Sequence, residues 1–310
     1  MRKTLFGVLL SLVLSGMPFA LGEHAEAVLP KFKVAFYNIR SGQGVQPLRG
    51  HAALFADGSN CDPASNKPLN AWGVGVVQRE LQRLAEDPEV VALGLAEAWL
   101  CGSPRNVARA LGWKLFTPER NGTALVVRHG LSGAEDWLQL DTSHNTHPKD
   151  EMWVIRGRVC MDVKCGSKVD VYVAHWYGTG PQAQSTMDRQ AADTVRFMKG
   201  SRGPHVLIGD LNVFEGDRDI CHQRPNNTSL QILREAEYVD AWPAVRGSAE
   251  GFTGMLNRPG CGSPEGAPWK RIDYAWSKGL TPIAIERFGL PAPGDAAPSD
   301  HAGIVAEYRQ

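Results

Sequence analysis

The 310-residue chain has no surplus of charge of either sign: Lys and Arg together number 33, and so do Asp and Glu. A protein that holds duplex DNA mainly by neutralising phosphates needs a basic excess, so that class lacks its usual electrostatic signature here. A local basic patch stays open, because net charge does not report distribution. Past the N-terminus no apolar run reaches membrane length, which excludes a transmembrane helix there. Internal repeats and low-complexity tracts are missing too, as is any Cys-x-x-Cys spacing. The last absence argues against metal or redox roles for the six cysteines. What remains is ordinary globular material, 43% hydrophobic and 21% charged, with no shift in composition that marks a second domain.

Arg2 and Lys3 precede an apolar run from Leu5 to Leu14, and small residues follow at Ala20, Gly22, Ala25 and Ala27. This is the pattern of a secretory signal peptide. Residues 1–27 are therefore expected to be removed, with cleavage after Gly22 or Ala27, leaving one domain over 28–310 that is secreted or periplasmic. In such an oxidising compartment, six cysteines read as disulfides. Fifteen pairings exist in principle. The favoured set joins Cys221 to Cys261 within one irregular region, Cys160 to Cys165 across a hairpin turn, and Cys61 to Cys101 as the remainder.

The most informative stretch is Pro204 to Asn212, PHVLIGDLN. His205 to Ile208 is an apolar, β-branched run suited to a strand buried on both faces, and Gly209 ends it. Asp210 and Asn212 then share one side of the extended chain, with Leu211 turned to the core. Alone, an Asp and an Asn after a strand ordinarily open a turn. Similar signals recur, however, at other strand ends. Lys33–Tyr37 leads to Asn38, Val90–Ala96 to Glu97, and Val169–Ala174 to His175; Asp273 lies within Arg271–Trp276, and Ser299-Asp300-His301 precedes Gly303–Tyr308.

Among these runs, helical spacing is read over Ala71–Asp87, Ser103–Leu111, Pro181–Lys199 and Thr228–Ala236, the last capped by Thr228. Thr123–Arg128, Asp136–Leu140, Met152–Met161 and Lys168–Trp176 read as an antiparallel meander. Ser41–Asn70 has little periodicity and is expected to be a long loop, either bordering a cleft or a surface insertion.

The ordered set Asn38, Glu97, His175, Asp210-x-Asn212, Asp273 and Asp300-His301 resembles the endonuclease/exonuclease/phosphatase superfamily, over about Lys31 to Tyr308. The resemblance implies an α/β four-layer sandwich of two packed, mostly antiparallel β-sheets flanked by helices. It further implies a divalent-metal-dependent phosphoric ester hydrolase, monomeric, in which Asp210 orients or deprotonates water and Asn212 holds a phosphate oxygen. His175 and His301 would contact phosphate, and Asp273 would pair with His301. Glu97 and Asp300 are hard oxygen ligands suited to Mg²⁺, with Mn²⁺ or Ca²⁺ as alternatives, and Asn38 adds a carbonyl oxygen or orients a ligand. Thr253 matches a position near phosphate, and Arg189 and Gln190 match a helix that follows the histidine strand. Trp99 and Trp176 would either stack on a base or lipid headgroup or close the core rim.

The expected substrate is a phosphodiester, nucleic acid first, with a sphingomyelinase-like phospholipid headgroup or a phosphomonoester as alternatives. A non-catalytic binding or toxin subunit is the reading of another class. His144, His147 and Asp150, and Glu215 and Asp217, are set down as solvated loop and turn residues.

Overall fold

The computed structural model describes residues 31–40, 61–62, 67–68, 71–98, 103–118, 122–143, 152–178, 182–214, 227–254, 256, 267–291 and 297–310. The expected signal peptide, Trp99, Cys101, Cys221, Cys261, the His144–Asp150 cluster, Glu215 and Asp217 lie outside these residues, as does most of Ser41–Asn70.

The described elements run in the order β1 (Lys31–Asn38), β2 (Cys61–Asp62), β3 (Lys67–Pro68), α1 (Ala71–Glu86), β4 (Val90–Ala96), α2 (Ser103–Leu111), β5 (Lys114–Phe116), β6 (Ala124–Val127) and β7 (Asp136–Gln139). Then come β8 (Trp153–Cys160), β9 (Lys168–His175), α3 (Ala183–Met198), β10 (His205–Asp210), α4 (Asn227–Glu235), β11 (Val239–Asp240), α5 (Ala241–Arg246), β12 (Asp273–Lys278), β13 (Thr281–Phe288) and β14 (Gly303–Arg309). They form two six-stranded sheets, β13-β14-β1-β4-β6-β5 and β11-β12-β10-β9-β8-β7, with β2 and β3 paired apart. Within the two sheets only β1 with β4 and β9 with β10 run parallel among the described pairings.

Strand alternation divides the apolar residues into three layers of core. Phe32, Val34 and Phe36 of β1 meet Val171, Val173, Val206 and Ile208 between the sheets. Ala35 and Tyr37 face the other way, under Val77 and Leu81 of α1 and Val107 and Ala108 of α2. Tyr172, Leu207 and Trp276 of the second sheet are covered by Met187, Ala191 and Val195 of α3 and Leu230 and Leu233 of α4. Helix, sheet, sheet and helix make the four expected layers. Gly94 lets the sheets close at their crossing, since a Cβ there would stand 2.9 Å from both Ile208 and Val173.

Three expectations change. The Thr123–Arg128 run supplies β6, which pairs with β4 in the first sheet, so the meander is β7-β8-β9 only. Helix α4 begins at Asn227, which puts Thr228 inside it rather than at its cap. Within the expected long loop, Cys61–Asp62 pairs with Lys67–Pro68. The Cys160–Cys165 disulfide forms as expected, closing the turn that leaves β8 at a Cα separation of 4.6 Å.

Candidate active site

Register alone assembles half of the site. Asp210, the last residue of β10, lies opposite His175 at the end of β9 and opposite Asp273 at the start of β12. Gly209 permits this close approach, because a Cβ there would collide with the Ala174 carbonyl. The first sheet supplies the facing lip. Asn38 ends β1 beside Ala96, Glu97 follows β4, and His301 sits two residues before β14.

The two lips meet at Asp210. Its Oδ2 accepts a hydrogen bond from Asn38 Nδ2 at 3.0 Å and lies 3.6 Å from His175 Nε2 and 3.7 Å from His301 Nε2. Asn38 Nδ2 also donates to Glu97 Oε1 at 3.1 Å. His301 Nδ1 contacts Asp273 Oδ2 at 2.9 Å. Asn212 turns away from a regular strand: its backbone N–H donates to Asp210 Oδ1 at 3.0 Å and its Nδ2 to the Trp176 carbonyl at 2.8 Å. Glu97, Asn212 and Arg40 have φ of 50°, 51° and 42°, a left-handed conformation uncommon for residues with a side chain. Such backbone persists where surroundings over-determine it, and here three cases surround one cluster.

Burial sets the electrostatics. Asp210 is 1% exposed. Desolvation pushes its carboxyl up from 3.8 to about 8, with Asp273 and Glu97 adding to the rise and His301 and the Asn38 amide opposing it. At His301 burial disfavours the cation, but the carboxylates of Asp273 and Asp210 outweigh it and hold the imidazole well above 6.5. Among the described residues the cluster thus gathers three carboxyl groups, Glu97, Asp210 and Asp273, which is the condition a bound cation or a retained proton relieves.

The oxygen donors fit a hard divalent cation. Carboxylate and imidazole atoms of Glu97, His175 and Asp210 lie within 4.8 Å of one another, as do those of Asp210, Asp273 and His301. Asp300 falls outside both groups, with its Oδ2 3.7 Å from Arg40 Nε. Asn38 presents its amide nitrogen to both carboxylates while its carbonyl accepts from Arg40 N at 3.0 Å, so here it is a donor bridge rather than a carbonyl ligand. A cavity of about 410 Å³ lies elsewhere, between α1 and β13, and is lined by Lys33, Arg83, Glu286 and Glu307 among others.

Sequence reasoning placed three supporting residues incompletely. Trp176 is fully buried beneath α3 with its Nε1 on Thr194 Oγ1 at 3.0 Å, so it belongs to the core and not to a stacking surface. Gln190 binds both backbone groups of Tyr177, at 2.9 and 3.1 Å, fixing the chain just after His175. Ser299 donates to the Asn38 backbone carbonyl at 2.6 Å and accepts from His301 N at 3.3 Å, tying the end of β1 to the loop that leads into β14 within the first sheet. Its presence in Ser-Asp-His was the available signal.

The sequence profile of the Endonuclease/Exonuclease/phosphatase family matches residues 36–301, a span that takes in every residue of this cluster. The chain belongs to that family. It is accordingly a divalent-metal-dependent phosphoric ester hydrolase. Solved structures share the fold at low identity. An endonuclease/exonuclease/phosphatase from Beutenbergia cavernae is 19% identical, with a TM-score of 0.59 over 90% of this chain and 71% of that one. TDP2 from D. rerio, complexed with single strand DNA product, is 13% identical, with a TM-score of 0.60 over 90% and 99%. A mannosyl-6-phosphatase from Bacteroides thetaiotaomicron is 15% identical, with a TM-score of 0.57 over 90% and 100%. No curated protein sequence matches the chain.

Proposed function

We propose that this family member is a secreted or periplasmic nuclease that uses Mg²⁺ to hydrolyse phosphodiester bonds. The observation that carries the reading is one buried carboxylate, Asp210, set within 3.7 Å of two imidazoles. The export half of the reading rests on the Arg2-Lys3 and Leu5–Leu14 pattern.

Glu97, oriented by the Asn38 amide, would hold the cation, which when bound polarises a phosphoryl oxygen and offsets the charge that develops there. Asp210, poised near neutral pH, takes the proton of the attacking water. Asn212, oriented by the Trp176 carbonyl, directs its remaining amide N–H to a phosphate oxygen. Asp273 fixes the proton on His301 Nδ1, so that Nε2 faces the phosphate, and His175 approaches from the other side.

DNA chemistry is favoured because TDP2, which carries single strand DNA product in its structure, shares the fold over nearly its whole length. Neutral net charge lacks the basic excess of a strong duplex-DNA binder. The test is a Mg²⁺-supplemented screen of purified protein against single-stranded and duplex DNA, RNA, sphingomyelin and sugar phosphates. Cleavage of nucleic acid well above the others supports the reading; preference for sphingomyelin or a monoester overturns the nuclease assignment.

A further inference from the structure

The hydrogen bond between Asp273 and His301 crosses from one sheet to the other. Asp273 opens β12 in the second sheet, whereas His301 leads into β14 in the first. The ladders within each sheet do not set this separation. The chain at residues 251–254 runs between the two strands, and Gly254 forms single bridges to both Lys270 and His301.

Thr253 is the centre of this junction. Its backbone N–H donates to the Lys270 carbonyl at 2.7 Å, and its own carbonyl accepts from Ala302 N at 2.7 Å. Its Oγ1 accepts from the backbone N–H of Asp273 at 3.1 Å and from that of Ile272 at 3.3 Å. One residue thus grips the backbone of Asp273 on one side and that of the residue after His301 on the other. Both acceptor positions of the hydroxyl are occupied. Thr253 is also 0% exposed, against 7% for His301, so it presents no surface to a substrate.

We propose that Thr253 is a positioning residue that sets the Asp273–His301 contact, not a phosphate contact. The inference rests on the proposed roles of Asp273 and His301. Thr253→Val keeps the shape and leaves the N–H groups of Ile272 and Asp273 without their acceptor, whereas Thr253→Ser keeps it. Loss of that acceptor lets the start of β12 shift relative to the Ser299–Ala302 loop. A displacement of about 1 Å at an acting group is enough to slow turnover about 100-fold.

The experiment measures kcat and KM for bis-p-nitrophenyl phosphate with Mg²⁺, together with the melting temperature, for wild type, Thr253→Val, Thr253→Ser, His301→Ala and the Thr253→Val, His301→Ala double variant. Thr253→Val should lower kcat roughly 10- to 100-fold with KM changed less than about threefold. Thr253→Ser should restore most of the rate. In the His301→Ala background, adding Thr253→Val should cost less than about threefold, because the contact it sets is already gone.

A folded Thr253→Val protein with wild-type kcat overturns the inference, even if it melts earlier, since that is what a purely structural hydroxyl predicts. Full additivity in the double variant overturns it as well. If Thr253→Val does not fold, Thr253→Cys, which keeps a weak acceptor, must still fall below Thr253→Ser in kcat, and equality sinks the idea. Wild-type turnover in His301→Ala would overturn the reading of the site and this inference together. A large loss in His301→Ala beside an unaffected Thr253→Val would remove this inference alone.

Discussion

Replacing Asp210 by Asn should stabilise the metal-free protein while abolishing its activity. With the carboxyl pushed up to about 8 in the fold and 3.8 as the ordinary value, the folded state takes up a proton that the unfolded state releases. Because the folded-state value is raised, stability is greatest at low pH and falls as pH rises between the two values. The raised His301 imidazole acts in the same sense, losing its contribution as pH climbs past its folded value. At pH 7 the roughly three pH units above the unfolded carboxyl, at about 1.4 kcal/mol each, set a ceiling of ~4 kcal/mol. Half of that ceiling, about 2 kcal/mol, is the working figure, or about 4 °C for a chain of this size. A carboxamide carries no charge to desolvate and takes up no proton. In EDTA, thermal melts from pH 5 to 8 should show Asp210→Asn above wild type, with a gap that widens as pH rises. Mg²⁺ should raise wild type more than the variant. A variant that melts at or below chelated wild type at pH 8 would refute the reasoning.

Two further predictions concern stability away from the site. His205 is buried, with its ring nitrogens on the Gly203 carbonyl and Tyr238 hydroxyl, and desolvation lowers its pKa below 6.5. Its contribution is therefore full above about pH 6.5 and lost as pH falls toward the folded value, and His205→Gln should flatten urea-measured stability between about pH 5 and 7. Arg271 pairs with Asp240 at 2.7 and 3.0 Å in a buried site, and Asp240 also caps α5 through Trp242 N at 3.2 Å. Arg271→Ala should cost about 3–5 kcal/mol, and a loss below about 1 kcal/mol would show that the Asp240 charge is better solvated than its burial implies.

The fold was legible where apolar periodicity met punctuation. Helix α2 spans Ser103–Leu111 as read, and α1 and α3 lie within two residues of their expected ends. Missed were the short strands β5 and β11, together with β13 and α5. In β13, Pro282 and a half-buried pattern disguise an edge strand, which is where proline is tolerated. In α5, Pro243 interrupts six residues too short to show a helical period. The sheet to which β6 belongs was not readable, because sequential strands pair only by preference and β6 returns to β4.

At the site, Asn38, Glu97, His175, Asp210, Asp273 and His301 were readable because each follows or interrupts an apolar run, and the fold brings these strand ends together. The junction at Thr253 was not, because its four partners come from segments 17 to 49 residues away and no local pattern records them. Asn38 illustrates a subtler limit. Its residue type allowed either a ligand or a donor, and only the neighbouring Arg40 N–H and two carboxylates select the donor arrangement.

The most direct test of the central claim is the rate of bis-p-nitrophenyl phosphate hydrolysis by purified protein before chelation, in EDTA, and after Mg²⁺ is restored. The account predicts loss of activity in EDTA, recovery with Mg²⁺, and no recovery for Asp210→Asn. An undiminished rate in EDTA, or a wild-type rate for Asp210→Asn, would contradict it.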